Sequence, residues 1–260
     1  SGARRGAPAR AASLETRATC LLPERGGALV GTARAHLLRL RGGESSVLEG
    51  FDRADGRREW YTPWGGPPDV RSLARGADGA LYANVHVGGV LRSGDRGASW
   101  RPTLDIDADV HQVLAHPRRA EVVLAACARG LATSTDGARS WTYSAEGLHA
   151  SYARAVAVAD GTVFLSASTG PSTRRAALYR RALRGAGALE KCAGGLPAWF
   201  TENIDSHCVA ATARTVAFGT ADGSVFVSAD GGSTWRPLAE RLPPVRALAL
   251  LGGSTGSAVD

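Results

Sequence analysis

The chain has 260 residues, with 33 Gly, 12 Pro and a formal net charge of +7. Arg, Asp or Gly interrupts every apolar run well short of the roughly 18–20 residues of a spanning helix, so no helical membrane span is expected. The basic residues are scattered and Lys191 is the only Lys, a compositional bias and not the concentrated stripe of a nucleic-acid surface, so nucleic acid is not an expected partner.

Residues 1–13 are basic and small, and no signal-peptide hydrophobic core follows them; they are expected to form a disordered arm ahead of a single domain at 14–260. From there short Val/Leu/Ala runs alternate with Gly, Pro and Asp turn signals, an all-β pattern. The first run covers residues 18–22, and Asp55 and Trp60 follow it. Next come Val70-Arg-Ser-Leu-Ala74, Ala80-Leu-Tyr-Ala83 and Gly89-Val-Leu-Arg-Ser93, the last leading into Ser93-Gly-Asp95-Arg-Gly97-Ala-Ser99-Trp100. Val110-His-Gln-Val-Leu-Ala115 precedes Ser134-Thr-Asp136-Gly-Ala138-Arg-Ser140-Trp141. After Ala153-Arg-Ala-Val-Ala157 and Ser206-His-Cys-Val-Ala210 comes Ser228-Ala-Asp230-Gly-Gly232-Ser-Thr234-Trp235, and the last run is Val245-Arg-Ala-Leu-Ala249.

Trp60, Trp100, Trp141 and Trp235 are separated by 40, 41 and 94 residues, the last step being two periods. Asp55 and Trp60 are taken as a worn fourth copy of the motif. Each unit holds four strands in about 40 residues, the size of a propeller blade. Five sets of second, third and fourth strands but six first strands can be counted, so the ring has five or six blades.

The Ser-x-Asp-x-Gly-x-[Ser/Thr]-Trp motif resembles the Asp-box, or bacterial neuraminidase repeat, of sialidases and other β-propellers, and the whole chain is similar to bacterial propellers described as glycosyl hydrolases. The resemblance implies a sialidase-like fold with the boxes in third-to-fourth strand hairpins. Nothing matches the N-terminal arginine motif of sialidases, and no Tyr/Glu nucleophile pair is evident, so sialidase activity is not expected. Within a box, Asp230 can accept bonds from the loop's own N–H groups, Gly232 tolerates a positive φ and Trp235 buries its ring, which accounts for the motif without a ligand.

The functional expectation therefore moves to the opposite face. The second residue of successive first strands is Arg71, His111, Arg154, His207 and Arg246, with Thr19 the equivalent near the N-terminus. Loops feeding that face add Trp64, Asp69, His86, Asp107, Asp109, His149, Tyr152, Trp199, Glu202, Asn203 and Asp205. Arginines would suit a carboxylate or phosphate and the Trp residues could stack on a sugar. The alternative is a set of ion pairs lining a water-filled channel, Arg71 with Asp69 and Arg246 with Asp205.

Two functions compete. One is a binding module or scaffold for an anionic or carbohydrate-like ligand, or for a partner's acidic loop. The other is a glycoside hydrolase or lyase using Asp107, Asp109, Glu202 or Asp205 with a His as proton shuttle. No cofactor or metal is expected. Cys20, Cys127, Cys192 and Cys208 form no Cys-x-x-Cys pair and are read as buried free thiols of a reducing compartment, hence a cytoplasmic protein, which is also expected to be a monomer.

Overall fold

A computed structural model describes residues 13–185 and 187–251. The expected arm at 1–13 lies outside the described residues but for Ser13. The described chain forms five four-stranded antiparallel sheets, each a propeller blade. Blade 1 is β1 (Ala18–Glu24), β2 (Gly27–Thr32), β3 (Leu37–Arg41) and β4 (Glu44–Val47); blade 2 is β5 (Val70–Arg75), β6 (Leu81–Val85), β7 (Gly89–Ser93) and β8 (Arg101–Leu104). Blade 3 is β9 (Val110–Ala115), β10 (Val123–Cys127), β11 (Gly130–Ser134) and β12 (Thr142–Ser144). Blade 4 comprises β13 (Tyr152–Ala159), β14 (Thr162–Ser168), β15 (Ala176–Ala182) and β16 (Glu190–Lys191), and blade 5 comprises β17 (Val209–Thr212), β18 (Thr215–Gly219), β19 (Val225–Ser228) and β20 (Arg236–Ala239).

Strand alternation puts apolar residues on both faces of the middle strands, so blades stack through side chains. Leu73, Ala83 and Leu91 lie opposite one another across β5, β6 and β7 and pack on blade 1. Val156, Leu165 and Tyr179 do the same from blade 4 toward blade 3, and Val209 and Phe218 from blade 5 toward blade 4. Burying one such Leu or Phe contributes about 1.5–3 kcal/mol. Four clusters result, one for each junction from blade 1/2 to blade 4/5.

Three copies of the motif occupy the β7–β8, β11–β12 and β19–β20 hairpins. In the last, Ser228 Oγ donates to Asp230 Oδ1 and accepts from the Gly232 N–H, both at 2.8 Å. Asp230 accepts from the Ser233 and Thr234 N–H groups and the Thr234 hydroxyl, and Trp235 Nε1 donates to the Gly232 carbonyl. These bonds hold the Asp95, Asp136 and Asp230 carboxyls far below the usual carboxylate range. Both carboxylate oxygens of each motif Asp are used by its own loop.

Asp55 and Trp60 are not a fourth copy. They follow β4, on a short helix and a 3-10 turn, whereas the β3–β4 connection is a two-residue turn at Gly42 and Gly43 with positive φ at both, leaving no room for the motif. Trp60 instead packs on Phe51, centroids 5.5 Å apart. The last expected first strand, residues 245–250, joins no ladder, so five blades form among the described residues.

Candidate functional site at the mouth of the propeller

The first strands of blades 1 to 4 all carry a β-bulge. In β5 the register passes from Val70 to Ser72, in β9 from Val110 to Gln112 and in β13 from Ala153 to Val156. The residues left out of the ladder are Arg71, His111 and Arg154 with Ala155, and Thr19 is skipped in the same way in β1. A bulge frees a side chain from the alternation of the sheet and re-aims it. The sequence positions singled out by residue type are therefore also the irregular ones.

Asp109 arrives beside them through a capped 3-10 turn, Ile106–Ala108. The Asp105 carboxylate accepts from the Asp107 N–H at 2.9 Å, and the turn ends on Asp109 with φ +43. His111 is 1% exposed; its Nδ1 donates to the Ala153 carbonyl at 2.7 Å, which leaves the Nε2 lone pair facing Asp109 Oδ2 at 3.7 Å. Its ring rests on Tyr152, and the Arg154 guanidinium lies over the same tyrosine. Arg154 Nε makes a 2.6 Å ionic contact with Asp205 Oδ1, bent too far off the N–H direction to be a hydrogen bond.

On the other side of the mouth, Asp69 Oδ1 lies 3.7 Å from Arg71 Nε and 3.8 Å from His86 Nδ1. Trp64, 73% exposed, packs on the His86 ring with centroids 4.8 Å apart. Burial, then the Arg71 charge, pushes the His86 pKa down to about 4. Burial likewise lowers His111 to about 4 against the opposing pull of Asp109, and lowers Arg71 despite the Asp69 carboxylate. Both imidazoles are neutral at pH 7.

Below the mouth the axis is crossed by chain. His207, at φ +65, donates its N–H to Gln112 Oε1 and its Nε2–H to the Arg71 carbonyl, each 2.9 Å, and Ser206 Oγ bonds the carbonyls of His111 and Arg154. His207 is therefore a floor that ties blades 2 and 3 to blade 5, not a wall of an open channel. Beside Arg154 and Asp205 a cleft of about 600 Å³ opens between the loops at 171–174 and 201–203, with Glu202 in its wall. Asn203 holds these loops together through the Gly170 and Pro171 carbonyls.

Other expected residues lie apart. His149 bonds the Tyr179 hydroxyl and the Arg175 carbonyl and packs on Trp199, which also receives Arg175 and Lys191 on its ring. Asp107 is exposed on its turn. Arg246 is exposed on the terminal segment, and Asp205 pairs with Arg154 in its place. Gln112, Ser166, whose Oγ accepts from the Ala155 N–H and donates to the Ile204 carbonyl, and Ser206 are not singled out from sequence. The first two are polar residues where a core strand would carry Val or Ala, and that substitution was the available signal.

Two cations, Arg71 and Arg154, face three carboxylates, Asp69, Asp109 and Asp205. Asp69 Oδ1, Asp109 Oδ1 and His111 Nε2 are buried acceptors that receive no hydrogen bond from the protein. Such atoms call for a donor from outside the fold.

No protein-family model and no curated protein matches the sequence. Solved structures match in fold. They include the GH74 xyloglucanase from Xanthomonas campestris, at 19% identity over 83% of this chain and 37% of that one with a TM-score of 0.56. PorZ, a surface component of the type-IX secretion system of Porphyromonas gingivalis, matches at 16% identity over 86% of this chain and 28% of that one, TM-score 0.58. YCF48 bound to D1 peptide matches at 15% over 86% of this chain and 67% of that one, TM-score 0.52. The chain spans 37% and 38% of the two GH74 enzymes first matched. At these identities the shared property is the propeller, a fold that hosts a hydrolase, a peptide binder and a secretion component alike.

Proposed function

We propose that the protein is a β-propeller binding module whose mouth, on the face opposite the Ser-x-Asp hairpins, takes a hydroxyl-rich, carbohydrate-like ligand. The observation that carries this reading is the set of buried acceptors without donors, Asp69 Oδ1, Asp109 Oδ1 and His111 Nε2, beside the exposed ring of Trp64. Sugar hydroxyls supply donors to such atoms, and an indole face suits the apolar face of a pyranose. Charge balance favours a neutral ligand over an anion, because both arginines already face carboxylates. A xyloglucanase among the fold neighbours is in keeping with this reading. The hairpin motifs are, on the same reading, Asp-boxes with a structural role, and the buried free thiols support a reducing, cytoplasmic setting.

The test is titration calorimetry with neutral oligosaccharides and, in parallel, with uronic-acid oligomers. Binding of a neutral sugar that weakens at least tenfold in Asp109→Asn and Trp64→Ala is expected. Preference for the uronic acids would restore the anionic ligand, and binding untouched by both substitutions would move the site elsewhere.

A glycoside hydrolase or lyase is the second reading, favoured by the neutral His111 imidazole set against the Asp109 carboxylate, a base beside an acid–base partner. New reducing ends released from a bound polysaccharide, and lost in His111→Gln, would establish it.

A further inference from the structure

Arginines that are scattered in the sequence converge in space. On the face that carries the Ser-x-Asp hairpins, a cleft of about 850 Å³ opens between blades 1 and 2, walled by the β1–β2 turn, the end of β3, the β5–β6 turn and the β7–β8 hairpin. Arg25, Arg39 and Arg41 of blade 1 and Arg75 and Arg96 of blade 2 line it, against two carboxylates, Glu24 and Asp78. Strand alternation accounts for part of this. Leu37, Arg39 and Arg41 share one side of β3, so the side that buries Leu37 in the blade 1/2 core ends at its rim in two guanidiniums.

Both carboxylates are already engaged. The Glu24 side chain, 8% exposed, accepts from Arg39 Nε at 2.9 Å and from Arg75 Nη2 at 2.5 Å, one oxygen to each blade. Burial alone would raise its pKa, but the Arg75 and Arg39 guanidiniums hold it below the usual carboxylate range. Asp78 pairs with Arg92 at 3.4 Å, and Arg39 Nη2 also donates to the Arg96 carbonyl, which ties the β7–β8 turn to blade 1. Among the described residues the guanidiniums of Arg25, Arg41 and Arg96 make no hydrogen bond or ion pair, not even with Glu44 opposite Arg41 across the ladder. The turn itself does not require Arg96. It stands at φ +62, where the other two hairpins place Gly137 and Gly231 at φ +74 and +72. The left-handed region favours Gly, and a disfavoured residue kept at one copy of a repeat marks a functional position. Likewise, the residue before the motif Ser is Arg92 here but Thr133 and Val227 in the other copies.

We propose that this cleft binds a ligand bearing a polyphosphate chain, gripped by Arg25, Arg41 and Arg96, with Arg39 and Arg75 fixed behind them by Glu24. Guanidiniums take phosphate oxygens through paired, charge-assisted hydrogen bonds, and three unpaired cations match a ligand with at least as many negative charges. No aromatic ring lines the cleft among the described residues, so a base finds nothing to stack on and the phosphates themselves carry recognition. The cleft lies on the face opposite the mouth and does not depend on what binds there.

The probe is inorganic tripolyphosphate, titrated by calorimetry into the full chain at about 150 mM NaCl, where isolated exposed charges are largely screened. Adenosine triphosphate and a single-stranded oligonucleotide are titrated in parallel. Saturable binding of tripolyphosphate is expected, and a preference between the two triphosphates names free polyphosphate or a nucleotide as the source. Arg96→Gly is expected to weaken binding at least tenfold while thermal stability holds or rises, because it installs the residue of the sister turns. Arg41→Gln, at an exposed position, is expected to weaken binding to a similar extent. Arg214→Gln, exposed in the corresponding β17–β18 turn of blade 5, is expected to leave it unchanged. Absence of saturable binding overturns the proposal, as does binding untouched by Arg96→Gly and Arg41→Gln. Equal weakening in Arg214→Gln overturns it by showing that net charge alone attracts the ligand. Tighter binding of the oligonucleotide than of tripolyphosphate overturns it in favour of a nucleic-acid surface.

Discussion

His111 turns its two ring nitrogens to opposite fates: Nδ1 donates to the Ala153 carbonyl at 2.7 Å, and Nε2 faces Asp109 Oδ2 at 3.7 Å with no donor between. One strand thus fixes the tautomer by which a neighbouring strand presents a buried lone pair. Because Nδ1 carries the proton in the neutral ring, protonation of Nε2 would create a buried cation, and burial opposes it more strongly than Asp109 favours it.

The pH dependence of stability follows. His86 and His111 have folded pKa values of about 4, below the ordinary value near 6.5, so the folded state binds fewer protons than the unfolded one between those limits. Their contribution is fully present above pH 6.5 and is lost as the pH falls toward 4. Urea midpoints at pH 7.5, 6.5, 5.5 and 4.5 are expected to decline in that window. The double variant His86→Asn/His111→Asn is expected to flatten the decline, leaving a residual slope from His116, which burial lowers in the same direction, and, at the acid end, from the motif carboxylates Asp95, Asp136 and Asp230. An unchanged slope in the double variant would place the titrating groups elsewhere.

The hairpin motif predicts stability effects that ligand sites do not share. Ser228→Ala strands the buried Gly232 N–H that its hydroxyl accepts at 2.8 Å, at a cost of about 1–3 kcal/mol. Gly232→Ala places a Cβ 2.6 Å from Phe164 Cε1 at φ +81, so both the turn and the blade 4/5 packing resist it. Equilibrium unfolding of both variants reads these losses. Ligand binding at the mouth, measured by calorimetry on the folded variants, is expected to be unaltered.

The fourth-to-fifth junction gives a sharper magnitude. Phe164 is fully buried in the cluster that joins the two blades and also holds Phe218 and Trp235. Phe164→Ala is expected to cost about 3–5 kcal/mol, the usual penalty for a large aromatic cavity. A loss under 1 kcal/mol in urea titration would mean that blade 5 contributes little to the cooperative unit.

Strands whose apolar pattern repeats are legible in the sequence to the residue: β9 at Val110–Ala115 and β7 at Gly89–Ser93 begin and end where the pattern does. Trp60 was misread because a spacing of 40 is reproduced by a helix and a 3-10 turn that bring an indole to the same blade 1/2 core as Trp100. Residue type located Arg71, His111 and Arg154 at the mouth. It could not reveal that bulges free them, since a bulge depends on pairing with another strand. Pair identities were the least legible. Asp205 reaches Arg154, not Arg246, because the chain before β17 dips across the axis at His207 before joining its blade. His149 and Trp199 share the expected face but satisfy each other, and nothing in spacing distinguishes a self-contained aromatic stack from a ligand wall.

The cysteines offer a readout of how residues 245–250 are held on blade 5. Burial raises Cys20, Cys127 and Cys192 to about 12 and Cys208 to about 11, all far above an ordinary thiol. At pH 8 the thiolate fraction of a group at 12 is about a thousandfold below that of one at 9, so native thiols are expected to resist a disulfide reagent that labels all four on unfolding. Cys208 is the exception by position. Its Sγ is covered by the Val245 carbonyl at 3.3 Å, on a segment that no strand pairs, so lifting residues 245–250 uncovers it without opening a blade. Mass spectrometry of partially labelled native protein is expected to find Cys208 modified first. Earlier modification of Cys127, which lies between blades 2 and 3, would show that the ring opens there before its terminal segment lifts.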